Sequence, residues 1–180
     1  MSTAVNLTFS PRDEKKVRRW WEACDANGIP SVAVTSSSQA PHVTLAVLET
    51  SDPGLLIERL EKAMVGVGGP TMMLAHFGVF VQPNLVLFLG VTPTDELRYL
   101  QRRVIDTGVA AGASVWEHYQ PGAWVPHCTL ASHFASLTML GPLLGTELRE
   151  LPAVPVLVHT DGVEVVGIPD GEVVGYVPLL

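Results

Sequence analysis

One hexapeptide occurs twice in this chain, and the repeat constrains the fold more than any other feature of the sequence. It reads PHVTLA at residues 41–46 and PHCTLA at residues 126–131, so that only the third position differs. The second copy begins 85 residues after the first in a chain of 180 residues. Because internal repeats mark repeated structural units, a repeat at nearly half the chain length predicts two related lobes.

Each copy has the alternating pattern of a β-strand, and we predict strands over residues 42–48 and 127–132. Successive strand residues point to opposite faces, so the histidine and the threonine of each copy share one face. The residue between them, Val43 or Cys128, is turned to the apolar side. Two such strands in related lobes would direct two His/Thr pairs toward one cleft.

The side chains expected to face this cleft are those of His42, Thr44, His127 and Thr129. Two imidazoles can exchange protons near neutral pH, and two hydroxyls can donate hydrogen bonds to non-bridging phosphate oxygens. These groups suffice for in-line attack on a phosphodiester without a metal, since one histidine can deprotonate the attacking oxygen while the other protonates the leaving oxygen. A single His and Thr on a strand is more often a structural pair, but the duplication favours catalysis.

The paired His-x-Thr-Leu motifs resemble those of the 2H phosphoesterase superfamily, specifically its 2′-5′ RNA ligase and RNA 2′,3′-cyclic phosphodiesterase group. A weaker similarity includes an N-terminal strand and helix, Phe80 with its hairpin, and a final strand at Gly175-Tyr176. The resemblance implies an α+β fold in a single bilobal domain over residues 1–180. Its two lobes would be a pseudo-twofold pair of antiparallel or mixed sheets, with helices outside and a central cleft.

The same resemblance implies that the four motif residues are catalytic, with His127 as the base and His42 as the acid. The implied substrates are 2′,3′-cyclic phosphates or related cyclic or 2′-5′ diesters. One position departs from the group, since many members carry an arginine just after the second motif and this chain has Ser132. The exchange removes a positive charge beside the phosphate, which puts RNA in question as the natural substrate.

The charge balance limits the class of partner. The formal net charge is −7, whereas a protein that follows a long nucleic acid is normally basic. No basic stripe is evident, so the composition favours a small phosphorylated nucleotide, or an RNA end held by few contacts. Local patches can oppose the net charge, and RNA therefore stays open.

The sequence predicts no metal and no cofactor. Cys24 and Cys128 are too few for a disulfide framework and lack zinc-ligand spacing. His133 could share the strand face of His127, but no carboxylate stands at ligand spacing. The N-terminus has no apolar signal region and no stretch approaches the length of a membrane span. We therefore expect a cytoplasmic protein without a membrane segment, and a monomer.

The loop over residues 112–125 leads into the second motif and carries several aromatic residues. A nucleobase can stack on Tyr119 or Trp124, which are the predicted substrate-binding residues, although packing is the commoner role for such side chains. The isolated histidines are expected to have structural or surface roles; they are His76, His118 and His159.

The rest of the chain predicts a mixed order of elements and not a regular βαβ alternation. Further strands are predicted over residues 5–9, 31–35, 71–81, 85–91, 154–159, 162–167 and 173–178. Helices are predicted over residues 11–26, 53–65, 95–108 and 137–150, with a loop over 36–39.

Three functions are compatible with the sequence. The leading one is a metal-independent phosphodiesterase, and it is favoured because both motifs are intact. The second is a non-catalytic module that binds a phosphorylated nucleotide or an RNA end. The third is reversible 2′-5′ RNA ligation, which the lack of a basic stripe makes less attractive.

Overall fold

The computed structural model of the protein describes residues 2–36, 39–50, 52–145 and 151–180. The strands are β1 (Ser2–Phe9), β2 (His42–Glu49), β3 (Thr71–Phe80), β4 (Val86–Val91), β5 (Ser114–Val115), β6 (His127–Ser132), β7 (Val156–Ile168) and β8 (Val173–Pro178). The helices are α1 (Pro11–Ala26), α2 (Val32–Thr35), α3 (Pro53–Met64), α4 (Asp95–Ala110) and α5 (Leu140–Gly145).

The strands form one open sheet in which every described strand pair is antiparallel. Their order is β5-β2-β1-β7-β3-β4-β6, and β8 pairs with β7 off this path. The long strand β7 joins two groups, because one part of it pairs with β1 and β8 while the other part pairs with β3. This is the predicted α+β architecture of two lobes. The two groups of strands are joined into one sheet, and its described strand pairs are antiparallel rather than mixed.

The two strands that begin with the motif histidines meet, although they lie near opposite ends of the strand order. Strand β2 contacts β6, and the backbone of His42 lies beside the Cys128 thiol. The sheet is therefore curled, so that its two groups of strands bring the motifs together without closing a barrel.

Helices cover the outside of this sheet and bury one continuous apolar core against it. Helix α1 packs on β1 and β6, whereas α3 and α4 pack on each other and on β8, β2 and β5. The expected start of α1 is confirmed, because Ser10 accepts a hydrogen bond from the backbone of Asp13 and Pro11 follows it at the first helical position. Trp20 and Trp21 are among the residues on the buried side of this helix.

The predicted strand over residues 31–35 is wrong, since this segment forms the short helix α2. A contact with the end of α1 accounts for this: the backbone N–H and the hydroxyl of Ser31 both donate to the Asp25 carboxylate, at 2.9 and 2.8 Å. Ser31 makes one bridge to Ala131, and its carbonyl then accepts from the following turn. The β-branched composition of the segment did not reveal this anchor.

The two strands predicted over residues 154–159 and 162–167 are a single strand, β7, with a bulge at Asp161. Asp161-Gly162 has the composition of a turn, but here the glycine serves packing. A Cβ atom at Gly162 would lie 2.2 Å from the ring of Tyr176 on β8. The glycine therefore lets an aromatic ring cover the strand.

The helix predicted over residues 137–150 is divided in its described part. Leu137–Met139 form a 3₁₀ turn and α5 follows, while residues 146–150 lie outside the described residues. Pro142 has no N–H for a carbonyl of the preceding turn, which favours the break. The predicted loop over residues 112–125 contains β5 and a 3₁₀ turn, and residues 37 and 38 of the predicted loop 36–39 also lie outside the described residues.

A buried carboxylate ties α1 to β7. The Oδ2 atom of Asp13 accepts from the backbone N–H and from Nδ1 of His159, both at 2.8 Å, and Oδ1 pairs with Nζ of Lys16 at 2.5 Å. Burial alone would raise the pKa of Asp13, but the bonds from Lys16 and His159 outweigh it and hold this pKa well below its usual range. His159 thus has a structural role.

We predict that Asp13→Ala lowers the free energy of unfolding by about 2–3 kcal/mol at pH 7, because it removes charge-assisted hydrogen bonds and leaves the N–H of His159 unpaired. The folded-state pKa of Asp13 lies below its unfolded value of about 3.9, so this contribution is present above about pH 4 and is lost as the pH falls further. Urea unfolding between pH 7 and pH 2 measures both effects.

The matched control is Asp106→Ala on the exposed side of α4, which should change stability by less than about 0.5 kcal/mol. An Asp13 variant that is as stable as this control at pH 7 would contradict the role of the carboxylate.

Candidate active site

The two motif strands present their polar side chains in the same way. His42 is the first residue of β2 and His127 is the first residue of β6. In each strand the histidine and the threonine two residues later are partly buried, while the residue between them, Val43 or Cys128, is fully buried. The predicted assignment of faces is therefore confirmed. We call the side of the sheet that carries these histidines and threonines the motif face.

A short hydrogen bond fixes each motif histidine. Nδ1 of His42 lies 2.7 Å from the carbonyl of Ala40, and Nδ1 of His127 lies 2.7 Å from the carbonyl of Val125. A carbonyl can only accept, so Nδ1 carries the proton and Nε2 of the neutral ring holds a free lone pair. The two copies therefore offer the same nitrogen for proton transfer.

An indole holds the backbone of each motif at its threonine. Nε1 of Trp124 donates to the Thr44 carbonyl at 3.0 Å, and Nε1 of Trp21 donates to the Thr129 carbonyl at 3.1 Å. Trp21 comes from α1 and Trp124 from the segment before β6. Trp21 and its partner Thr129 are 108 positions apart, so no local pattern in the sequence links them.

Both motif imidazoles are disfavoured in their charged form. Burial lowers the pKa of His42, the hydrogen bond to Ala40 offsets part of this effect, and the nearby His127 lowers the pKa further. Burial also lowers the pKa of His127, with a partial offset from Val125. Both rings are therefore mainly neutral at pH 7, and they are close enough to influence each other electrostatically.

Two phenylalanines surround the second histidine. The rings of Phe80 and Phe88 lie 5.0 and 5.1 Å from the ring of His127, and 4.4 Å from each other. Phe88 reaches this position because it lies over Gly78, where a Cβ atom would be 2.3 Å from the ring. This apolar wall removes water from one side of the imidazole, which accounts for the lowered pKa.

A cavity of about 500 Å³ opens beside β6. Its wall includes four of the six residues predicted for the site, namely Tyr119, Trp124, His127 and Thr129. His42 and Thr44 are not part of this wall, but the backbone carbonyl of Thr44 accepts a hydrogen bond from Trp124, which is. A larger cavity of about 830 Å³ lies against the start of α4 and contains no motif residue.

The hydroxyl of Thr44 is already engaged. Its Oγ1 donates to Oδ1 of the buried Asn6 at 2.8 Å, and the phenol of Tyr119 is a near neighbour of the same hydroxyl. Thr44 consequently has no proton to offer a ligand in this arrangement.

The hydroxyl of Thr129 is in a different situation. Within the part of the chain that the structure describes, no group hydrogen-bonds to it, and it lies in the wall of the cavity. The two motif threonines are therefore equivalent in sequence but not in their hydrogen bonding.

The predicted aromatic residues are also used by the fold. Tyr119 packs on a small apolar cluster of Ala4, Val47 and Val166, and burial raises the pKa of its phenol, with an offset from the nearby hydroxyl of Thr44. The indole N–H of Trp124 donates to the backbone of β2. Parts of both rings still line the cavity, where stacking of a base stays a prediction.

Several wall residues were not predicted as part of the site. They include Gln82 and Asn84 at the tip of the β3–β4 hairpin, together with Trp116, His118 and His133. The strand ends at Ser132 and His133 adopts a φ of 60°, so the expectation that it continues the strand face of His127 is wrong. The sequence of the hairpin tip indicates only a turn. The pairing of β4 with β6 brings this tip close to the second motif.

Among the described residues, no group of three or more His, Cys, Asp or Glu side chains is arranged to hold a metal ion. Within the same residues, no helix combines the length and the apolar character that crossing a membrane requires.

A family model described as the 2′-5′ RNA ligase superfamily matches residues 9–163. The chain therefore belongs to this superfamily, as the two motifs indicated. No curated protein matches the chain significantly.

Solved structures share the fold at low sequence identity. E. coli LigT in its apo form is 17% identical with a TM-score of 0.61, over 99% of this chain and 94% of that one. The protein TT0787 of Thermus thermophilus is 17% identical with a TM-score of 0.62, over 99% and 98% of the two chains. The PDE domain of MHV ns2 is 18% identical with a TM-score of 0.53, over 93% and 100%.

We predict that His42 and His127 both titrate below the ordinary imidazole value of about 6.5, because burial disfavours their charged forms. When neutral, both rings should carry the proton on Nδ1. Two-dimensional ¹H–¹⁵N spectra of the imidazoles from pH 4 to pH 8 report the midpoints and the tautomers, with His42→Gln and His127→Gln to assign the signals. A midpoint above 6.5 for either ring, or a proton on Nε2 at pH 8, would contradict the geometry.

Proposed function

We propose that this protein is a metal-independent phosphodiesterase that opens 2′,3′-cyclic phosphates, or related cyclic or 2′-5′ diesters, with His42 and His127 as the acid–base pair. The observation that carries the proposal is the matched pair of Nδ1 bonds, which leaves Nε2 of both rings free for proton transfer. The electrostatic influence of His127 on His42 supports their action on one substrate. We propose Thr129 and Thr44 as further members of the site.

In the proposed reaction, His127 removes a proton from water as the water oxygen attacks phosphorus, and His42 donates a proton to the departing ribose oxygen. His127 is the better candidate for the base because it lines the cavity from which water would enter. The acid must be protonated while the base is neutral. Both rings are mainly neutral at pH 7 in the free protein, and the negative charge of a bound diester would favour protonation of one of them.

The solved relatives support a nucleotide-like ligand. Structures of E. coli LigT are described as complexes with 3′-AMP, NADP⁺, ATP and phosphate. We propose that this chain likewise takes a small phosphorylated nucleotide or an RNA end, and that it does so as a monomeric bilobal domain in the cytoplasm.

We predict that His42→Ala and His127→Ala each lower kcat on 2′,3′-cyclic AMP by at least about 10²-fold, the lower end for general acid–base catalysis. The double variant should lose much less than the product of the two effects, because the rings act as one unit. The maximum of kcat/KM should lie below about pH 6.5, since both pKa values are lowered in the free protein. EDTA should leave the activity unchanged.

The control is His159→Gln, which alters a histidine that is no part of the cavity wall and keeps a donor for Asp13. Near-wild-type turnover by either alanine variant would exclude the two-histidine mechanism. Binding of the cyclic nucleotide without any turnover would indicate the binding module instead.

The two threonines should differ. We predict that Thr129→Val lowers kcat/KM by about 10–100-fold, because it removes a hydroxyl that is free to donate to the phosphate, with a water as a partial replacement. Thr44→Val should have a smaller effect, since its proton is already bonded to Asn6. Thr129→Ser, which keeps the hydroxyl, should retain most of the wild-type kcat/KM. Equal losses in the two valine variants would show that the hydrogen bonding of Thr44 is rearranged by substrate.

A further inference from the structure

Positive side chains are unevenly distributed over the molecule. The chain has 11 lysines and arginines, and the ten within the described ranges all lie on helices: five on α1, two on α3 and three on α4. In these ranges no strand and no connecting segment carries a lysine or an arginine. These three helices pack on the outside of the sheet, and none of their lysines or arginines lines the cavity beside β6.

The cavity wall reflects this distribution. It is formed by the hairpin tip at residues 80–86 and by residues 116–133, and none of α1, α3 or α4 contributes to it. Among the described residues that line it, there is no lysine, arginine, aspartate or glutamate. The side chains in the wall that can become positive are the three histidines His118, His127 and His133. Burial lowers the pKa of His127, which keeps this ring mainly neutral at pH 7.

Many of the helix cations are also held in place. Lys16 pairs with Asp13, Arg18 with Glu14 and Lys62 with Glu58, each within its own helix. Arg103 donates to the carbonyl of Ala63 and to the phenol of Tyr99. These four side chains have partners outside the cavity wall, and none of them lines it.

The other half of the motif face carries negative groups. Glu164 on β7 is in register with Asn6, which is in register with Thr44, so the three side chains share a face. Asp161 accepts a hydrogen bond from Thr8 at 2.9 Å on the same half. Burial raises the pKa of Glu164, and the neighbouring carboxylates of Asp161 and Glu14 raise it further, which indicates that negative charge accumulates here.

We infer that the substrate brings a single negative charge to this site: a nucleoside 2′,3′-cyclic monophosphate without a further phosphate, rather than a 5′-phosphorylated nucleotide or an RNA end. The inference rests on the proposed function and narrows it. One diester charge can be met by the Thr129 hydroxyl and by a histidine that becomes protonated. Each further phosphate would meet a wall whose described residues include no lysine or arginine, in a protein of net charge −7.

Nucleic-acid-binding proteins show how many cations the binding of several phosphates normally requires. Those proteins supply lysine or arginine for the phosphates that they contact, and their affinity falls with salt for that reason. Here the described wall of the cavity supplies neither lysine nor arginine. The cavity of about 500 Å³ is of a size that holds a small organic ligand, and its aromatic residues offer a neutral surface to a nucleoside.

The test compares kcat/KM for three substrates: 2′,3′-cyclic AMP, the same nucleotide with a 5′-phosphate, and a trinucleotide RNA that ends in a 2′,3′-cyclic phosphate. We expect the 5′-phosphorylated nucleotide and the RNA to be turned over at least about tenfold less efficiently at low salt. Raising the salt to about 0.2 M should narrow this difference, because it screens a repulsion.

Two results would overturn the inference. One is equal or better turnover of the RNA or of the 5′-phosphorylated nucleotide. The other is a kcat/KM for these substrates that falls with salt relative to 2′,3′-cyclic AMP, as it would for phosphates held by cations. Absence of turnover with all three substrates would instead overturn the proposed function, and the inference with it.

A variant that gains activity on a 5′-phosphorylated nucleotide tests the same inference, and its result cannot be confused with a loss of folding. Ser132 is a partly buried residue in the wall, and Ser132→Arg would add a fixed cation there. We expect it to raise kcat/KM for the 5′-phosphorylated nucleotide relative to 2′,3′-cyclic AMP by about tenfold, a change of about 1.4 kcal/mol. Ser132→Gln, a neutral side chain of intermediate length, should leave the ratio unchanged.

The exposed hairpin residue Gln82 provides a second position if the arginine at 132 disturbs folding. Gln82→Lys should shift the same ratio in the same direction, with Gln82→Met as its neutral control. Ratios that do not change in either cationic variant would show that charge in this wall does not govern the choice of substrate.

Discussion

Each imidazole of the site is held by a hydrogen bond of 2.7 Å from its Nδ1 to the carbonyl two residues earlier. This bond sets the tautomer and aims Nε2, and the rest of the local structure keeps it in place. The motif histidine begins a strand in both copies, and an indole fixes the same strand two residues further on. The long strand β7 then joins the two groups of strands, so that the curled sheet brings β2 and β6 into contact.

The two copies have diverged in what surrounds this shared framework. His127 lies against Phe80 and Phe88, whereas His42 is in register with the polar Thr8. The hydroxyl of Thr44 is bonded to Asn6, while Thr129 faces the cavity. Two motifs of nearly the same sequence can therefore have different roles, because a general acid and a general base need different environments. Their contacts with the substrate also need not be symmetric.

Local pattern and tertiary contact differ in how well the sequence reveals them. The strands and the faces of the motifs followed from alternation alone, since that signal is local. The segment 31–35 became a helix because the Asp25 carboxylate holds Ser31, and Gly162 proved to be a packing position beneath Tyr176 and not a turn. The indole bonds and the cavity wall join residues far apart in the chain, and nothing in a single sequence relates such positions.

The central claim is that both histidines act on one phosphate, and a crystal structure with 2′-AMP, a candidate product, tests it most directly. The account predicts one phosphate bonded to Nε2 of His42, to Nε2 of His127 and to Oγ1 of Thr129, with the two nitrogens roughly 5–8 Å apart. A phosphate that contacts only one of the histidines, with the other imidazole facing a separate surface, would contradict it.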